Sequence, residues 1–210
     1  MNDKLTDAYL STINPPSRFE ELKEKFSIVA EDPVQQKNDI IEMLTISYVD
    51  EWLAEGNYFA SYNLSKTEGK VDVDPEFQQH EKEEYDHRHD IANRLRELGA
   101  PVPTIPLSQF EHLNSRGLDW KQEFSDNSYA QLKNRFIEEN EAIEWYQICV
   151  NYTRKTQDNT THSLFKKIKA DEEQHRLDLG DLGVQANIFK KDILSLPATG
   201  NIDPELLPNP

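Results

Sequence analysis

Residues 83–99 read EEYDHRHDIANRLRELG and residues 170–180 read ADEEQHRLDLG, and the two stretches superpose at an offset of 88 positions. Glu84, His87, Arg88 and Asp90 of the first fall on Glu172, His175, Arg176 and Asp178 of the second. A glutamate and a histidine three residues apart lie on one face of a helix, about 4.5 Å apart along its axis, so both can reach one ion. Taken singly, a Glu-x-x-His pair on a charged helix is usually a solvated surface. Two pairs at a shared offset point instead to a repeated device.

The offset extends outward. EWLAEGNY at residues 51–58 is answered by EENEAIEWY at residues 138–146, with Glu51, Ala54 and Tyr58 on Glu139, Ala142 and Tyr146. Tyr48 and Val49 are answered by Phe136 and Ile137. Glu51 precedes Glu84 by 33 residues, and among Glu138, Glu139, Glu141 and Glu144 only Glu139 precedes Glu172 by 33. A one-residue step turns a helical side chain by about 100°, so Glu138 should point away from whatever Glu139 faces. Glu51 and Glu139 each sit on an otherwise apolar stripe, where an unpaired ionised carboxylate is costly to bury. Four helices would thus bring together four carboxylates and two imidazoles, a donor set that suits two ions of iron or manganese. Tyr58 and Tyr146, two turns beyond their glutamates, are placed either to hydrogen-bond a ligand carboxylate across the bundle or to fill the core. His80 is expected at the surface, Trp52 and Trp145 in packing contacts, and Glu55, Glu138, Glu141 and Glu144 receive no role.

Apolar residues recur at three and four spacings and no long alternating stretch exists, so the chain is expected to be all-α. Pro15 and Pro16 precede Ser17, a candidate cap for a short helix bearing Phe19, Leu22, Phe26 and Val29. The first long helix is expected over about Asn38 to Leu64. The second spans about Pro75 to Leu98, opened by Asp74 and Pro75 and closed by Gly99 and Pro101. GAPVPTIPLSQFEHLNSRGLDW follows, with three prolines and no clean periodicity, and it suits a crossover along the bundle. The third helix covers about Asp126 to Thr156, and the fourth about Asn159 to Leu179, with Asp158 or Asn159 as cap and Gly180 and Gly183 near its end. The organisation expected is an N-terminal extension at 1–37, a four-helix bundle at 38–183 and a C-terminal tail at 184–210.

With 210 residues and a formal net charge of -16, the chain repels phosphates and anionic headgroups, so neither nucleic acid nor a membrane is expected as partner. One cysteine, Cys149, can form no internal disulfide and no thiolate metal cage. The N-terminus carries no signal pattern, and no apolar run nears the roughly 20 residues needed to span a bilayer. A cytoplasmic location is expected.

EWLAEGNY, EEYDHRHDIANRLRELG, EENEAIEWY and ADEEQHRLDLG resemble the four core helices of bacterioferritins and Dps-like ferritins, over roughly residues 38–183. The resemblance implies a ferritin-like four-helix bundle with a long crossover between helices 2 and 3. It implies metal ligation by Glu51, Glu84, His87, Glu139, Glu172 and His175, and hollow homo-oligomeric shells that store iron. Haem-binding bacterioferritins place a methionine directly after the second-helix ligand glutamate; Tyr85 stands there, so no haem is expected. The lysine-rich tails of DNA-binding Dps proteins are missing. The activity expected is a di-iron ferroxidase using oxygen or peroxide. The alternatives are a dimetal peroxidase or catalase-type oxidoreductase without storage, and a metal-stabilised structural bundle.

Overall fold

A computed structural model describes residues 20–70, 72–104 and 127–195 of the chain. Five α-helices lie within them: α1 (Glu20–Lys25), α2 (Pro33–Glu68), α3 (Asp74–Glu97), α4 (Ser128–Thr153) and α5 (Asn159–Gln185). A 3-10 turn at Lys191–Ser195 follows. Among the described residues there is no strand, and no helix is long and apolar enough to cross a membrane. Ser17, Phe19, most of the crossover and the proline-bearing residues 196–210 lie outside the described residues.

Each helix boundary has a local cause. Asp32 accepts from the Val34 amide and Pro33 occupies the first turn, so α2 starts five residues before the expected Asn38. It ends where Gly69 turns left-handed at φ 70°. Asp74, expected as a cap, is instead the first residue of α3, and its carboxylate accepts from the Ser65 hydroxyl at the end of α2. Asn127 caps α4 through the Tyr129 and Ala130 amides, and Asp158 caps α5 through the Thr161 amide.

The fourth long helix departs from expectation by running through Gly180 and Gly183 to Gln185. These glycines are spacers. A Cβ on Gly183 would come within 2.0 Å of the Phe189 ring, and one on Gly180 within 2.7 Å of Leu194. The chain after α5 folds back onto the helix through these gaps, burying Phe189 and Ile193 against Phe136 and Leu179. At the opposite end, Phe26 after α1 meets Trp145 and Tyr152 edge-on, at 6.2 and 5.8 Å between ring centroids.

Cross-helix contacts fix the directions. Asp39, Ser47, Tyr58 and Ser61 of α2 meet Tyr152, Trp145, Glu139 and Gln131 of α4, so one number falls as the other rises. The pair is antiparallel. Glu55 and Ser65 of α2 meet Arg88 and Asp74 of α3 with the same reversal. Thus α3 and α4 run in the same direction, and the end of α3 and the start of α4 lie at opposite ends of the bundle. Finally, α5 lies antiparallel to α3, with Arg94 on Asp158 and Glu83 on His175. Two apolar clusters fill the bundle: Met43, Leu44, Ile91, Trp145 and Phe165 toward one end, and Tyr58, Phe77, Phe136 and Leu179 toward the other. Glu51 lies between Leu44 and Tyr58 on α2, so the polar centre is enclosed between two apolar plugs.

Candidate dimetal site

All six residues singled out by the repeat meet in that centre. Glu51, Glu84, His87, Glu139, Glu172 and His175 are each 3% exposed or less. Two overlapping groups have ligand atoms within 4.8 Å of one another: Glu51, Glu84, His87 and Glu172, and Glu84, Glu139, Glu172 and His175. Glu84 and Glu172 belong to both. His87 directs Nδ1 inward, 3.3 Å from Glu51, 3.4 Å from Glu84 and 3.2 Å from Glu172. His175 does the same, with Nδ1 3.3 Å from Glu84, 3.6 Å from Glu172 and 3.9 Å from Glu139. Two atoms bound to one ion at about 2.1 Å can lie up to about 4.2 Å apart, so these gaps suit shared coordination.

Hydrogen bonding alone does not satisfy this cluster. Both carboxylate oxygens of Glu84, one of Glu172 and Nδ1 of His175 have no hydrogen-bond partner among the described residues. Orphaned buried carboxylate oxygens are rare because each carries its full desolvation cost. Divalent cations would remove that cost, and a donor set of four carboxylates and two imidazoles fits them.

Burial opposes every charge in the cluster, and the neighbours decide where it wins. It lifts Glu51 and Glu139 well above the ordinary carboxylate range, helped by the charges of Glu84 and Glu172. At Glu84 and Glu172 the two imidazoles outweigh burial, holding Glu84 well below that range and Glu172 at about 2. Burial also disfavours imidazolium, yet the surrounding carboxylates raise His87 and His175 far above their ordinary value. Without metal these shifts favour two imidazolium ions against two carboxylates, with Glu51 and Glu139 as the neutral carboxyls. Two divalent ions facing four carboxylates and neutral imidazoles reach the same net charge.

A surrounding set of residues fixes the geometry. Tyr146 donates to Glu51 and Tyr58 to Glu139, each across the α2–α4 pair. On the outer side of the imidazoles, His87 Nε2 lies 3.1 Å from Asp171 and His175 Nε2 lies 2.8 Å from Glu83. A carboxylate that accepts the Nε2 proton leaves Nδ1 as the lone-pair nitrogen. Sequence reasoning missed Glu83 and Asp171, although they stand at the same 88-residue offset, each directly before a cluster glutamate.

The remaining acids point elsewhere. Glu138 lies 2.8 Å from Arg135 Nη2, Glu55 accepts from Arg88, and Glu144 lies 3.6 Å from Lys23. Trp145 is fully buried and donates to Ser47 at 2.9 Å. His80 overturns its expected surface position. Its side chain is completely buried, with its ring stacked on His175, and burial, followed by the His175 charge, lowers it to about 3.

Antiparallel neighbours, with α3 and α4 parallel, and a twofold-repeated carboxylate–histidine cluster define a four-helix bundle whose centre could hold metal ions. A family model for ferritin, described as a ferritin-like domain, matches residues 50–186, and the chain belongs to the ferritin-like family. Among solved structures it is similar to a dodecameric thioferritin of the bacterial domain, the bacterioferritin-related protein from Bacteroides fragilis. That likeness has 26% identity and a TM-score of 0.59, covering 80% of this chain and 95% of the other. A search among curated proteins finds no match.

Proposed function

We propose that this chain is the subunit of a homo-oligomeric cage that oxidises ferrous iron at the buried cluster and stores the ferric product. The observation that carries this is the sharing of Glu84 and Glu172 between two four-ligand groups, with carboxylate oxygens that no hydrogen bond satisfies. Two adjacent ferrous ions supply one electron each, the pair required to take dioxygen to hydrogen peroxide or peroxide to water.

Each residue has a distinct part. Glu84 and Glu172 span both positions, while Glu51 with His87, and Glu139 with His175, each complete one. Asp171 and Glu83 hold the imidazoles with Nδ1 inward, and Tyr146 and Tyr58 fix the rotamers of Glu51 and Glu139. Loading displaces protons from the two imidazolium ions and the two neutral carboxyls, so charge stays balanced in a dry centre. The apolar plugs on either side keep bulk water away from the cluster. Assembly into a cage is supported by the family and by the dodecameric form described for the Bacteroides fragilis relative. The single cysteine and acidic surface fit a reducing, cytoplasmic setting.

Electron microscopy of the purified protein before and after aerobic addition of ferrous iron tests the proposal. Hollow particles that acquire dense cores are expected. Particles that consume ferrous iron without cores would remove storage, and particles that do neither would remove the oxidase reading.

A further inference from the structure

The repeat that builds the dimetal cluster does not extend to one buried position beside it. At the 88-residue offset, Glu76 and His80 of α3 fall on Leu164 and Ile168 of α5. His80 and Ile168 are both 0% exposed, so one half of the bundle fills this position with hydrocarbon and the other with an imidazole. Neither ring nitrogen of His80 has a hydrogen-bond partner among the described residues. The ring is held firmly nonetheless. It stacks on His175 with centroids 4.1 Å apart and 26° between planes, and the Tyr58 ring meets it edge-on at 5.1 Å. A buried imidazole with both nitrogens unsatisfied is costly where an apolar side chain of similar bulk is accepted by the same fold.

What faces His80 accounts for it. Nε2 lies 3.7 Å from a carboxylate oxygen of Glu76, one turn back on α3, and 3.8 Å from one of Asp178, one turn past His175 on α5. Those separations are too long for hydrogen bonds but fall inside the spread of about 4.2 Å open to two atoms on one ion with bonds of about 2.1 Å. The side chains of Glu76 and Asp178 are 33% and 30% exposed, so the position opens to water on the side away from the cluster. The other half lacks this donor set: Asp90, counterpart of Asp178, lies 2.9 Å from Lys167, and Leu164 and Ile168, counterparts of Glu76 and His80, carry no ligand atom.

We propose that Glu76, His80 and Asp178 form a third metal position, one per chain, for a first-row divalent transition ion, with ferrous iron as its occupant in function. One imidazole and two half-exposed carboxylates leave the remaining coordination to water, which suits an exchangeable ion rather than a locked one. His80, Glu83 and His175 form a further group with ligand atoms within 4.8 Å, linking this position to the dimetal cluster. The position is thus placed to pass ions inward. That supply role rests on ferrous oxidation at the cluster, whereas binding itself does not.

Anaerobic equilibrium dialysis of the full chain with ferrous iron, paired with anomalous diffraction from iron-soaked crystals, tests it. Three ions per chain are expected, one of them within bonding distance of His80 Nε2. His80→Ile, which copies Ile168, and Glu76→Leu, which copies Leu164, should each reduce the count to two and leave the cluster filled. The second variant guards against a folding failure in the first. Two ions in the unsubstituted chain, both at Glu84 and Glu172, would overturn the third position alone. An ion at His80 with none at Glu84 would instead overturn the proposed oxidase, and no bound ion anywhere would overturn both. In stopped-flow mixing, Glu76→Leu should fill the cluster several-fold more slowly to the same final occupancy; equal rates would remove the supply role.

Discussion

Tyr146 on α4 donates its hydroxyl proton to Glu51 on α2, and the repeat reproduces the contact with Tyr58 donating to Glu139. Burial, then the facing glutamate, raises both phenols well above their ordinary range, so each remains a donor at neutral pH. Groups that orient a ligand carboxylate commonly affect metal affinity or activity by about 10–100-fold. Tyr146→Phe and Tyr58→Phe should each slow ferrous oxidation by about tenfold with an unchanged helical circular dichroism spectrum. Unaltered rates in both would reduce the phenols to packing residues.

Removing an imidazole should cost more. His87→Ala and His175→Ala each delete a nitrogen that belongs to only one of the two four-ligand groups. Ferrous oxidation should fall by about 100-fold or more, and anaerobic titration should show one tight ion fewer per chain. Full-affinity occupancy of both cluster positions in either variant would show the imidazole to be a bystander.

Glu138 and Glu139 are adjacent, yet Glu139 is 3% exposed within the cluster while the Glu138 side chain is 30% exposed beside Arg135. Glu139→Gln should impair oxidation, whereas Glu138→Gln should leave it within about twofold. The comparison is best made by initial rates at matched iron. A silent Glu139→Gln beside a damaging Glu138→Gln would reverse the register.

The charge balance of the cluster makes stability depend on pH in a metal-dependent way. His87, His175, Glu51 and Glu139 have raised pKa values in the folded chain, so their contribution is complete below the unfolded pKa and is lost as pH rises through the folded one. Glu84 and Glu172 are lowered, and their contribution disappears only in acid, below about pH 4.5. With chelator present, Tm should fall from about pH 5.5 to about pH 8.5. Excess manganous ion should reverse the slope, because binding must displace the protons and strengthens as they are lost. A calorimetric scan across buffers of different ionisation enthalpy would also count the protons released; a release of zero would contradict the charge assignment.

Gly183 meets the Phe189 ring where a Cβ would sit 2.0 Å away. Gly183→Ala should therefore destabilise the protein by about 1–3 kcal/mol by pushing the segment after α5 off the bundle. Gly56, whose Cβ would meet nothing within 4 Å, supplies the control: Gly56→Ala should stabilise by a few tenths of a kcal/mol to about 1 kcal/mol. Urea denaturation distinguishes the two signs, and equal stability of both variants would show that Phe189 does not hold the segment.

The sequence by itself determined the helices, their order and the six residues of the cluster. Helical period and the 88-residue repeat are local or self-referential, so Glu51, Glu84, His87, Glu139, Glu172 and His175 could be picked out without knowing what faces what. The same repeat already contained Glu83 and Asp171, but offset alone could not distinguish an imidazole's partner from a surface charge. Only the tertiary structure decided matters that depend on a second helix. It buried His80 by laying His175 and Tyr58 against it, it turned Gly180 and Gly183 from stop signals into landing sites for Leu194 and Phe189, and it set Tyr146 on Glu51 rather than on its own helix. Burial and pairing are properties of two surfaces meeting, and a single helix carries the pattern of only one.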